Sequence, residues 1–478
     1  MVTTGRLNGV VSTGIPPLDD RTADLLRLLH ADLGAAGFTV AELDDLWGTD
    51  AAAALHRGER VPARRVLDAR RAAHGASDPL ATLAELFLLA HPADRVSADN
   101  ALPTLGVAGA AELGLVSVEA SSDAGGAACV RALLDLRPYA FSDALGDGHW
   151  WILSDLGELA LGHALGEQHV LGVGGASMTL SGLMLPTIAR RVLDLGTGCG
   201  IQAMHAARFA DEVVATDISE RALGIAALNL ALNGVDGVEL RLGSLFEPVA
   251  GERFDRIVSN PPFVITPRAT GVPEYDYRDG GMTGDGVVEA VMRGAADHLE
   301  PGGVAQLLGN WETRDGADGL DRVRAWAGSL EHWIVEREVQ QVTEYAETWV
   351  RDGGTRSGTA EFDRLYDAWL DDFERRGVRS VGFGYVLLRR PGGSRNSGLA
   401  RVERLHGPLG SGGGGADGDG DGDGRGPGPR WARTSPPAWR RTTGRPPRAT
   451  KSSPRRRSPS PETSPSSATT GRATRIPR

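Results

Sequence analysis

The stretch "VLDLGTGCGIQA", Val192–Ala203, carries an apolar run into Asp194, a loop holding Gly196, Thr197, Gly198 and Gly200, and then the start of a helical pattern. Glycines at those positions let backbone amides approach a ligand closely where a strand hands over to a helix. Twenty-one residues after Gly196 the next apolar run, "VVATD", ends in Asp217. An acidic side chain at the end of that second strand is placed to accept hydrogen bonds from ribose hydroxyls, so the pair predicts a domain that binds an adenosine-containing cofactor. The same alternation continues outward. Strands are expected over Arg191–Leu195, Val213–Asp217, Val238–Leu242, Phe254–Ser259, Val304–Leu308 and Val381–Leu388, with helices over Ile201–Phe209, Arg221–Asn233 and Val287–Leu299. Strand and helix in turn predict an α/β, doubly wound, mostly parallel sheet over residues 156–390.

The fourth of these strands runs into "RIVSNPPF", Arg256–Phe263. Neither Pro261 nor Pro262 can donate to a ladder, and Pro261 drives Asn260 to an extended backbone, so the strand ends in a stiff corner that presents Asn260 and Phe263. In a doubly wound sheet this corner lies on the same edge as the glycine loop, where ligands sit.

Loop and corner together resemble the class I S-adenosylmethionine-dependent methyltransferases, Rossmann-like enzymes. The resemblance is strongest to the small-domain branch with an Asn-Pro-Pro-Phe motif, similar to release factor glutamine methyltransferases and adenine or guanine amino methyltransferases. It covers roughly residues 165–310. It implies S-adenosyl-L-methionine as cofactor, held by Asp194, Gly196, Thr197, Gly198, Gly200, Asp217, Ile218, Ser244 and Leu245, and a reacting site at Asn260, Pro261, Pro262 and Phe263. Many relatives have Asp where this chain has Ser244, which accepts a hydrogen bond more weakly. Gly175 and Ser177, in "GVGGASMTL", fall where the family closes the site, with Ser177 or Thr179 as the expected helix cap. A dinucleotide dehydrogenase is the alternative reading of the glycine loop taken alone.

The chemistry accounts for the corner. An amide or aromatic amine is a poor nucleophile because its lone pair is delocalised. The Asn260 side-chain oxygen and the Pro261 carbonyl can each accept an N–H bond and favour a more pyramidal nitrogen. Phe263 can stack on a planar acceptor for about 1–3 kcal/mol. The expected activity is N-methylation of a planar nitrogen. The acceptor is a base amino group in RNA or DNA; the alternative is a protein glutamine of release-factor type. A reading of another class is a non-catalytic regulator that senses the cofactor.

The flanks differ in texture. Residues 1–155 read as mostly helical and winged-helix-like: a helix over Pro79–Ala90, short ones over Ser97–Leu102 and Val107–Leu113, then strands over Leu115–Glu119, Val130–Leu136 and Trp150–Leu153. The segment His56–His74 holds six arginines, readable as a phosphate contact or as a solvated helix face. Residues 391–478 lose apolar periodicity and read as a disordered low-complexity tail. Its Asp-Gly run, Asp417–Gly424, lacks the pattern of a calcium loop, and its end reads as a frameshift product of a GC-rich gene. The tail holds 17 basic and 6 acidic residues of the chain's 51 and 62, which leaves 34 against 56, or −22, in residues 1–390. So acidic a body opposes bulk binding to nucleic acid. Two cysteines, Cys129 and Cys199, exclude a disulfide framework, and no metal site, leader or membrane span is expected, so the protein reads as cytoplasmic. Trp311, Trp326, Trp333, Trp349 and Trp369 are expected to pack.

Overall fold

The computed structural model describes residues 3–4, 14–74, 78–119, 128–161, 165–262, 264–269, 272, 280–392 and 398–405. Phe263, the Asp-Gly run and the rest of the tail beyond residue 405 lie outside them. After the two-residue strand β1 (Thr3–Thr4) come helices Asp20–Ala35, Val40–His56 and Val61–His74. The helix expected over Pro79–Ala90 is Pro79–Leu83 continued by a π turn, Ala84–Leu88. Then follow β2 (Ala93–Asp94), helices Arg95–Ala101 and Gly106–Glu112, β3 (Val116–Glu119) and β4 (Cys129–Ala132). Strands β2, β4 and β3 form a small antiparallel sheet in the order β2-β4-β3, with helices Arg95–Ala101 and Gly106–Glu112 between β2 and β3. The run expected over Val130–Leu136 breaks at the exposed Leu133, after which β5 (Leu134–Asp143) and β6 (Gly146–Asp155) form a separate hairpin.

This N-terminal half does not own a core. Leu25, Leu29 and Leu33 share one apolar cluster with Ile225, Leu228 and Val258 from beyond residue 156. The seam also has polar stitches. Asn229, fully buried, accepts from the Leu153 amide (2.7 Å) and donates to the Leu153 carbonyl (2.9 Å). Asn233, one turn on, does the same to Trp151, at 2.8 Å each way. Two amide side chains at i and i+4 thus offer β6 the ladder that a neighbouring strand would.

The other strands are β7 (Ala189–Leu195), β8 (Ala210–Asp217), β9 (Val238–Leu242), β10 (Phe254–Ser259), β11 (Leu299–Arg314), β12 (Glu331–Gln341), β13 (Val378–Arg389) and β14 (Ala400–Arg404). They form one sheet in the order β1-β9-β8-β7-β10-β11-β13-β12-β14, parallel from β1 to β11. Strand β13 runs antiparallel between β11 and β12. Helices Ile201–Ala207 and Glu220–Leu232 connect β7 to β8 and β8 to β9, after which the chain crosses back to lay β10 against β7. The direction of winding reverses between β7 and β10, and a crevice opens at the carboxyl ends there. Strand β14 corrects the tail boundary at 391. It pairs in parallel with β12, because Arg404 bonds Glu336 (3.0 Å) and Asp318 (2.6 Å) and gives an otherwise polar segment an anchor.

Candidate active site

A cavity of about 650 Å³ occupies that crevice. Strand β7 delivers the glycine loop to one wall. Gly196 (φ 76°) and Gly198 (φ 55°) stand in the left-handed region, and a Cβ on either would point into open space. Their backbone therefore faces the cavity bare. Gly200 (φ 88°) lies away from the lining: a Cβ there would meet the Ala226 Cβ at 3.1 Å, so this glycine serves close packing against helix Glu220–Leu232. The loop is tied across to the end of β8, where the Gly198 amide donates to Asp217 Oδ2 and the Ser219 amide to Oδ1, both at 2.9 Å. Asp217 lines the cavity, as do Thr197, Ser219 and the exposed Ile218.

Asp194 is where the structure departs from the expected cofactor contact. It is fully buried beneath the loop and outside the lining, accepting from Thr197 Oγ1 at 2.6 Å. Burial pushes its carboxyl up to about 7, and its Oδ1 has no hydrogen-bond partner among the described residues. It acts on the site through Thr197. Beyond β9, Ser244 and Leu245 line the cavity, Leu245 in the left-handed region (φ 47°) that a branched side chain enters at a cost of about 1–2 kcal/mol.

The opposite wall begins with Asn260, Pro261 and Pro262. Ser259 pairs with Leu195 across β10 and β7, and its hydroxyl donates to the Leu195 carbonyl at 2.8 Å. That register puts Asn260 level with Gly196, so loop and corner face each other over the switch point. The Asn260 Oδ1 atom is buried and, among the described residues, has no donor. A buried acceptor left so costs about 1–3 kcal/mol, which a ligand N–H would relieve. Pro262 abuts a second glycine turn: a Cβ on Gly280 (φ 58°) would meet Val287 at 2.9 Å and Pro262 at 3.5 Å.

Gly175 and Ser177 also line the cavity, but the helix they open, Gly175–Leu183, is capped by Gly174 and not by Ser177 or Thr179. Ser177 is held through its carbonyl, which accepts from Gln202 Nε2 at 2.8 Å, while Ser181 Oγ donates to the Gln202 oxygen at 3.2 Å. Gln202 lies within the opening motif and was legible as the first polar residue after the loop. Three others carried no local signal. His169 lines the cavity with its ring buried 3.9 Å from Asp155, and burial holds its pKa below the usual imidazole value. Trp349 and Asp352 line it from a helix some ninety residues past Asn260. Of the tryptophans expected to pack, Trp311, Trp326, Trp349 and Trp369 are buried in core clusters and Trp333 is 39% exposed; Trp349 also lines the cavity. Among the described residues, no cluster of three or more His, Cys, Asp or Glu could hold a metal, and no helix is long and apolar enough to cross a membrane.

Comparison with known proteins gives these walls a relation. Residues 35–128 match a domain of unknown function (DUF7059) and residues 174–314 match the methyltransferase small domain. The chain is 41% identical over 128 residues to the ribosomal protein uL3 glutamine methyltransferase of Bradyrhizobium diazoefficiens, covering 25% of this chain and 40% of the relative. It is 40% identical over 131 residues to the release factor glutamine methyltransferase of Xylella fastidiosa, covering 26% and 48%. With the ribosomal RNA small subunit methyltransferase C of Erwinia tasmaniensis it shares 29% over 179 residues, 37% and 46%. The chain thus spans less than half the length of each. The matched segment, Gly174 to Arg314, holds the glycine loop, Asp217 and the Asn-Pro-Pro corner, and it is this part of the chain that is similar to the methyltransferase small domain.

Proposed function

We propose that the protein is an S-adenosylmethionine-dependent N-methyltransferase acting on a planar nitrogen, with a protein side-chain amide as acceptor. The single observation that carries the reading is the buried, partnerless Asn260 Oδ1, level with a bare glycine loop across the switch point of the sheet. S-adenosylmethionine supplies an already electrophilic methyl group when bound. It fits what is present. The uncovered backbone of Gly196 and Gly198 leaves space beside Asp217, which suits a ribose, and Ile218 and Leu245 offer an apolar slot for a base.

The chain's own residues then do three things. Asn260 Oδ1 and the Pro261 carbonyl accept the two N–H bonds of the acceptor, drawing its lone pair out of conjugation and towards the methyl. Pro261 and Pro262 keep that geometry from relaxing, and Gly280 lets the neighbouring turn close against Pro262. Apolar walls from Val287 and Val291 exclude water, which strengthens both hydrogen bonds. The proton leaves the acceptor after transfer, when the nitrogen is briefly cationic and acidic, so no strong base is required of the site.

Two features favour a protein acceptor. Read as a winged helix, the segment 79–132 would offer Gly106–Glu112 as its reading helix, which carries no basic side chain and packs through Gly109 against Leu25 of helix Asp20–Ala35. In a nucleic-acid reader of this shape that helix enters the major groove. The body's −22 charge points the same way. A base amino group is the second reading, and one observation favours it. Of the six arginines of His56–His74, Arg60, Arg70 and Arg71 are engaged by Leu89, Asp78 and Glu85, whereas Arg57, Arg64 and Arg65 are exposed and make no ion pair among the described residues. Either acceptor is met in the cytoplasm. Incubation with tritiated S-adenosylmethionine and cell extract, followed by protease or nuclease, tests the choice: label released by protease supports the amide, and label released by nuclease replaces it with the base.

A further inference from the structure

Resting on that reading, we propose that the helix Val342–Asp352 is the acceptor-selecting wall of the site. Trp349 would stack on the acceptor group and Asp352 would draw peptides whose amide is flanked by basic residues.

The helix lies outside the small domain at 174–314. Tyr345, Trp349 and Asp352 are spaced by four and three residues and so share one face. Trp349 and Asp352 line the same cavity as Asn260 and Pro262. The face is tied to the segment after the corner, where the Ile265 amide, five residues past Asn260, donates to the Tyr345 hydroxyl at 2.9 Å in a buried setting. Tyr345 is itself fully buried, stacked on Phe383 with ring centres 5.8 Å apart, in a cluster with Val264, Ile265, Trp369 and Phe373. The whole insert between β12 and β13 is therefore braced against the segment that follows the Asn-Pro-Pro corner.

Sheet order decides which ligand this wall meets. The helix packs on β12 and β13, to one side of β10, whereas Asp217 and Leu245 follow β8 and β9 on the other side of β7. A nucleoside on the β8–β9 side leaves the β10–β13 side for the acceptor. Trp349 and Asp352 both line the cavity on that side, and an indole beside a carboxylate suits a planar amide with a cationic neighbour.

The test uses the full chain, tritiated S-adenosylmethionine and two acceptor pools: an array of glutamine peptides with basic, neutral or acidic flanks, and deproteinised total RNA. The wild type is expected to label basic-flanked peptides most. Trp349→Ala should cut labelling about tenfold or more, the loss of a stacking partner, with Trp349→Phe restoring most of it. Asp352→Asn should flatten the preference between basic and acidic flanks, and both variants should bind S-adenosylmethionine within about twofold of wild type, since neither removes an interaction on the nucleoside side. Peptide labelling that neither variant alters overturns the inference alone. Label confined to RNA overturns the choice of a basic peptide. No label in either pool, with the cofactor bound, overturns the transferase reading together with this one.

Discussion

The two ends of the cavity are built differently. The end proposed for the nucleoside is made from neighbours in sequence: Gly196, Thr197, Gly198, Asp217, Ile218, Ser244 and Leu245 come from the turns after three consecutive strands, held by backbone-to-carboxylate bonds such as Gly198 to Asp217. The acceptor end is assembled from parts distant in sequence: the corner at 260–262, the glycine turn around Gly280, and the helix that brings Trp349 and Asp352. A shared cofactor can be met by a compact local motif. An acceptor particular to one enzyme is met by an insert that can vary without disturbing that motif.

If the ends are separable, a substitution at one should leave the other's binding constant alone. The largest effect belongs to Asn260→Ala. Turnover should fall about 10²–10³-fold, the scale of removing one preorganised partner of the reacting group, while calorimetric affinity for S-adenosylmethionine stays unchanged. Gly198→Ala forces a side chain into a left-handed conformation at the opposite wall. It should weaken cofactor binding about tenfold, from roughly 1–2 kcal/mol of strain, and leave the acceptor KM alone. Tyr345→Phe removes the hydroxyl that accepts from the Ile265 amide (2.9 Å) and from Asn310 Nδ2 (3.5 Å). It should lower stability by about 1 kcal/mol and raise the acceptor KM without moving the cofactor Kd. A matching rise in cofactor Kd would show that the two ends are one.

The smallest effect is a pH dependence beneath the nucleoside end. Burial raises the Asp194 carboxyl from 3.8 to about 7, so the folded state holds a proton that the unfolded chain has released. Stability from this group is complete below pH 3.8 and falls as pH rises towards 7. His205 works in the other direction: burial lowers its pKa from 6.5 to about 4, so its contribution is complete above pH 6.5 and is lost on acidification towards 4. Asp194→Asn should therefore gain on the wild type in thermal melts as pH rises from 4 to 7 and hold a constant difference above it.

This contrast also explains what was legible in the sequence. Period and punctuation gave β9 and β10 to the residue, and a Gly-x-Gly-x-Gly loop followed by Asp217 pointed to one wall of the cavity, because those features act over one turn of chain. Gly200 could not be told from Gly196 and Gly198 by spacing: its reason is the Ala226 Cβ, twenty-six residues on. Asp194 sits in the motif yet under the floor, since alternation along β7 says which face a side chain takes but not how deep the loop above it lies. Trp349 and Asp352 were hidden entirely. An amphipathic helix with an aromatic stripe looks the same whether it covers a core or a cavity, and only the fold, which sets Trp349 and Asp352 on the cavity wall, distinguishes them. The contacts across residues 155–156 carried no local signal either, because the partners of Asn229 and Asn233 lie on β6, more than seventy residues earlier.

The most direct measurement pairs cofactor titration with single-turnover methyl transfer for the wild type and Asn260→Ala, with the labelled product hydrolysed to identify the methylated atom. The account predicts equal cofactor affinity, a methyl on an amide nitrogen from the wild type, and transfer reduced at least about a hundredfold in the variant. A variant that transfers at the wild-type rate, or a wild type that does not bind S-adenosylmethionine, would contradict it.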